Sequence, residues 1–198
     1  MKKLLFAPLF ILCLICCSKT KTPIETYLKE HNPNLKSLEM IEVSETDSTY
    51  SPYRELMSLS YMYTSLGADI ASLNSKAFKA KSNKEAISIL DSALNIYTQE
   101  YSRLDSTTSK CFKAIDFPDL ATEKNRIYAK AKYKIDGEVK EQCFYFNADG
   151  ETIGHTDEDI RNLTNEILSE LKSLSNAKRE VEKDKRDIKR GEYQIGSK

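Results

Sequence analysis

Tryptophan is absent from the 198 residues, glycine occurs six times and histidine only twice. Scarce glycine leaves no Gly-rich loop of the kind that cradles phosphates, and it suits a helix-rich chain. The two histidines, His31 and His155, form no His-Glu-x-x-His pair for zinc, and no Gly-x-Ser-x-Gly elbow offers a serine nucleophile. Neither sign of charge dominates. Thirty Lys and Arg balance thirty Asp and Glu, and the signs are interspersed, so the basic footprint that nucleic acid requires is missing. No apolar run reaches the roughly 20 residues that cross a bilayer.

One apolar run is still informative. Lys2 and Lys3 precede the segment Leu4 to Ile15, which is broken only by Pro8 and suits the central region of a signal peptide. It ends in Leu14-Ile15-Cys16-Cys17. This resembles a lipobox, in which branched apolar residues and a small residue precede a cysteine that is lipidated and becomes the mature N-terminus. Cys16 departs from the usual Gly, Ala or Ser before the cleavage point, and the pattern looks most like lipoproteins of the Bacteroidetes kind. The resemblance implies a signal peptide at 1–16, lipidation of Cys17 and a tether at 17–22. Taking Cys16 as the acceptor instead would place bulky Ile15 at the cleavage site. Several acyl chains together would make the membrane attachment effectively permanent. The polar run Ser18-Lys19-Thr20-Lys21-Thr22 lacks the acidic stretch that sends some such lipoproteins to the cell surface. A periplasm-facing position on the outer or inner membrane is therefore expected.

Cys13 and Cys16 lie in this leader and Cys17 just after it; Cys111 and Cys143 remain. In an oxidising compartment they could pair, and closing a loop of this length is worth roughly 3.7 kcal/mol in the chain-entropy model. Two free thiols are the alternative. Nothing in their spacing suggests a metal site.

Periodicity predicts the elements. A short helix is expected from Pro23 to His31 and a strand near 36–44, where Glu39, Ile41 and Val43 alternate with Met40 and Glu42. Leu56, Leu59, Tyr63, Leu66, Ile70, Leu73 and Ala77 fall on one helical stripe, and Ile87, Leu90, Leu94, Tyr97, Tyr101 and Leu104 on a second. Between them Ser82-Asn83-Lys84-Glu85 has capping-box spacing. A helical hairpin over 53–105 follows, with one long bent helix as the alternative. Phe112 to Phe117 suggests a further strand.

Asp136-Gly137 marks a two-residue hairpin turn within 126–147. It pairs Ile135 with Glu138, Lys132 with Glu141, Ala129 with Phe144 and Ile127 with Phe146. Thr156 is placed to cap a C-terminal helix over 157–190, with Asp157, Glu158 and Asp159 in its first turn. Ile160, Ile167, Leu174, Val181 and Ile188 recur every seven residues, but after Leu174 the second apolar position passes to Lys178 and Lys185. That predicts a solvated, charged end, and a single apolar position per heptad makes a poor coiled-coil seam.

Candidate sites are few. His155 lies among acids in Gly154-His155-Thr156-Asp157-Glu158-Asp159, where acid/base or metal chemistry competes with the ordinary needs of a helix start. Asn147-Ala148-Asp149-Gly150-Glu151 resembles part of an EF-hand loop, but Tyr145 and Thr156 stand where its end carboxylates belong. Asp47-Ser48-Thr49, Asp91-Ser92-Ala93 and Asp105-Ser106-Thr107 resemble the short sites that Bacteroidetes-type periplasmic machinery O-glycosylates. Ser48 and Ser106 are the candidates, because Ser92 falls on an expected helix. Residues 23–154 loosely resemble small uncharacterised secreted domains, a likeness that implies no activity.

The expectation is an α+β domain over 23–176, a small antiparallel sheet packed with a helical hairpin and a C-terminal helix, followed by a charged extension at 177–198. No catalytic residue, metal or cofactor is expected. The functional expectation is a non-enzymatic envelope lipoprotein with a protein-interaction or structural role. Its rival is a carrier of small ligands or peptides in a Tyr- and Phe-lined cleft.

Overall fold

The computed structural model describes residues 20–117, 124–193 and 195. The leader, Cys17 and the start of the tether lie outside them. The fold is α+β: among the described residues, four helices accompany an antiparallel sheet of five strands. The described residues form two compact units, one from those within Met1–Tyr53 and Ala114–Arg161, the other from those within Arg54–Lys113 and Asn162–Lys198.

The first unit is built on the hairpin. Strands β3 (Arg126–Ile135) and β4 (Glu138–Phe146) pair with Ile135 opposite Glu138, Lys132 opposite Glu141 and Ala129 opposite Phe144. Asp136 and Gly137 adopt φ of 48° and 95°, the left-handed pair that a tight primed turn requires and that Asp-Gly accommodates at least cost. The Asp136 carboxylate also accepts the backbone N–H groups of Lys36 and Ser37, each at 2.9 Å. The turn thereby fixes the entry to β1 (Leu38–Val43), which pairs with β3 through a bulge between Met40 and Glu42.

Two short strands were not foreseen from sequence. β2 (Asp47–Thr49) pairs with β3, and β5 (Ile153–Thr156) pairs with β4. Helix α1 (20–31) covers one face of the sheet: Ile24 and Leu28 bury against Ala129, Ala131, Tyr133, Phe144 and Phe146. The small side chains of Ala129, opposite Phe144, and Ala131, opposite Gln142, leave the room that α1 fills.

The second unit is helical. α2 (Tyr53–Ala77) and α3 (Asn83–Asp116) form the expected hairpin rather than one bent helix. The capping box is present. Ser82 Oγ accepts the Glu85 N–H at 3.2 Å, and Glu85 Oε2 accepts the Lys81 N–H at 2.8 Å. Ser82→Ala is expected to cost about 1 kcal/mol of stability, seen as a lower urea midpoint, while Ser82→Asn should leave the midpoint nearly unchanged. Tyr63, fully buried, stays satisfied because its hydroxyl lies 2.8 Å from Thr108 Oγ1.

Two expectations need correction. Residues 112–116 continue α3 instead of forming a strand; the apolar residues there serve a helix already under way. The end of helix α4 (Asp157–Arg190) is not a solvated extension, because Val181 and Ile188 are buried. Within this unit α4 runs parallel to α2, with Ser60 donating to Glu166 at 2.6 Å and Asn74 donating to Asp184 at 3.1 Å. It runs antiparallel to α3, with Lys178 over the Tyr97 ring and Lys185 paired with Asp91. Each lysine lays its stem along the seam and keeps its charge on a partner.

Candidate functional site

The register of the first unit gathers one polar cluster. Tyr145 pairs with Tyr128 on β3 and with His155 on β5, so the three share the sheet face opposite to Phe144. The His155 ring is sandwiched between Tyr145 (4.7 Å between centroids, 8° between planes) and Tyr53 (4.3 Å, 3°). Only 3 % of His155 is exposed, and its Nε2 lies 2.7 Å from Ser51 Oγ in a fully buried hydrogen bond. Ser51 is held at every polar atom. Its N–H donates to Asn125 Oδ1 at 2.8 Å, its carbonyl accepts from Asn125 Nδ2 at 3.1 Å, and its Oγ accepts the Tyr53 N–H at 3.4 Å.

The electrostatics keep this imidazole neutral. Burial, and after it the Arg126 guanidinium, bring the His155 pKa down to about 4, with Asp159 only partly opposing them. Tyr145 is pushed up to about 12 by burial and by the neighbouring Cys143 and Asp157. Serine and histidine at hydrogen-bond distance are two parts of a nucleophilic triad. Here, however, Ser51 is 4 % exposed. Asp159 is engaged elsewhere, accepting from the backbone N–H and hydroxyl of Thr156 at 2.7 and 2.9 Å and from the Tyr27 hydroxyl at 3.4 Å. Asp159 is thus half of a capping box, with its own N–H 3.3 Å from Thr156 Oγ1. Of the acids around His155, Asp159 caps the start of α4, while Asp157 accepts the Cys143 N–H of β4 at 3.1 Å.

The remaining candidates are dispersed. Cys111 and Cys143 are both free thiols. Cys111 is buried on α3, its pKa raised to about 11 by burial and by Glu55, and Cys143 is half-buried on β4 with its pKa also raised by burial. Both shifts oppose thiolate formation. Ser48 is exposed on β2, whereas exposed Ser106 lies within α3, the helical setting that counted against Ser92. Asp149 closes a turn by accepting the Glu151 and Thr152 N–H groups and the Thr152 hydroxyl, so it is no calcium ligand in waiting. No group of three or more metal-ligating side chains occurs among the described residues.

Four aromatic residues, Tyr133, Phe144, Phe146 and Tyr63, are buried in packing. An open hollow of about 330 Å³ beside Lys29, Asn32 and Lys36 contains no aromatic. A second, of about 200 Å³, lies between α2 and α3 beside Tyr61, Ile96 and Arg103.

No family model, curated protein or solved structure matches the chain.

Proposed function

We propose that the chain is a membrane-anchored envelope lipoprotein, held through Cys17 and facing the periplasm, with a non-enzymatic protein-interaction or structural role. The observation that carries this reading is the leader: Lys2 and Lys3, the apolar run from Leu4 to Ile15, and a cysteine where a lipobox ends. No described helix is long and apolar enough to cross a membrane. The buried Ser51–His155 pair and the consumed aromatics favour a filled, chemically quiet body over a carrier with an apolar cavity.

Cys17→Ser is expected to move the protein from the membrane fraction to the soluble fraction and to abolish incorporation of labelled palmitate. If the variant sediments with membranes unchanged and keeps residues 1–16, the anchor is a spanning segment and the reading fails.

A further inference from the structure

Residues 50–53 run from β2, which lies beside β3, toward β5 on the far side of β4. Asn125 and His155 both fasten this strap. Asn125 grips the backbone of Ser51 from both sides, and Asn125 N–H donates to the Thr49 carbonyl at 3.0 Å. His155 holds Ser51 Oγ and stacks on Tyr53. We propose that this strap is an acid-releasable fastening, closed while His155 is neutral and opened when the imidazole takes up a proton.

The hydrogen bond is not what protonation breaks. A charged imidazole could still donate from Nε2 to Ser51 Oγ. What the closed strap withholds is hydration or a contacting carboxylate. From β3 the imidazole faces Arg126, which repels the added charge, and from α4 it faces Asp159, whose attraction only partly opposes that repulsion. From α2 and β4 it faces the neutral rings of Tyr53 and Tyr145. Lifting the strap removes Tyr53 from one ring face and admits water, which stabilises the cation.

The sign follows from linkage. The ordinary histidine value is 6.5 and the closed value is about 4. The histidine contribution to closure is therefore intact above pH 6.5, declines as pH falls from 6.5 to 4, and is constant below that. Over this window the open fraction rises by up to about a hundredfold.

Amide hydrogen exchange on the full chain in detergent, corrected for intrinsic rates, tests this at pH 7 and pH 4. Protection across 47–53 is expected to fall at least tenfold at pH 4, while the β3 amides from Ala129 to Tyr133 keep theirs. His155→Gln and His155→Phe should show no such difference between the two pH values. The proposal is overturned by unchanged protection at 47–53, by an equal loss in β3, or by a loss that persists in both variants. Should neither variant fold, the wild-type His155 ring can be titrated by NMR. Its midpoint is expected to coincide with that of strap opening, and a separation of more than about one pH unit overturns the proposal.

Discussion

Phe144→Ala is expected to lower the unfolding free energy by about 3–5 kcal/mol, the range for a buried phenylalanine truncated where its surroundings relax only partly. Phe144 is 0 % exposed and stands opposite Ala129, whose methyl group cannot fill the void. Its ring meets Tyr27 of α1 edge-on at 5.9 Å and Tyr133 at 6.1 Å, so the loss also removes aromatic contacts that tie the helix to the sheet. Phe144→Leu should recover most of the stability, because it restores volume without the ring edges. Urea unfolding followed by circular dichroism measures both variants. A loss below about 1 kcal/mol for the alanine variant would mean that the sheet does not depend on this side chain.

That core was readable from the residues because the turn and the pattern agree. Asp136-Gly137 fixes the register, and the register alone places Ala129 opposite Phe144. The helix starts were readable for a similar reason: Ser82 with Glu85, and Thr156 with Asp159, satisfy local N–H groups, and local chemistry is written in adjacent residues. Strands β2 and β5 escaped notice because three or four residues are too few to show alternation. The end of α3 misled because the apolar residues of 112–117 suit a strand as readily as a helix when the run is short.

The polar cluster was only half legible. His155 stood out as one of two histidines, but the partner sought for it was a nearby acid. The contact it makes is with Ser51, 104 positions away, through a strap that no periodicity reveals. The stacking of Tyr53 and Tyr145 on its ring follows from tertiary placement for the same reason. Of the acids beside it, Asp159 had the structural duty its spacing implied, which is why proximity in sequence was a poor guide to the chemistry of this imidazole.

Ile188→Ala separates a packed end of α4 from a solvated one. A residue on a hydrated helical extension would lose a few tenths of a kcal/mol at most. Ile188 is 2 % exposed, so truncation is expected to cost about 2–5 kcal/mol. The sequence argument against packing was that Lys178 and Lys185 occupy the second position of the stripe. Those lysines are half-buried, one lying 5.2 Å over the Tyr97 ring and the other paired with Asp91. A helix flanked by two neighbours can bury a narrow apolar row when amphipathic stems close its margin. Lys185→Ala should therefore cost less than Ile188→Ala, within about 1 kcal/mol for a largely exposed partner. The pair of urea midpoints gives the answer: equal, small shifts would return residues 177–190 to solvent, whereas a large loss confined to Ile188 places them in the core of the helical unit.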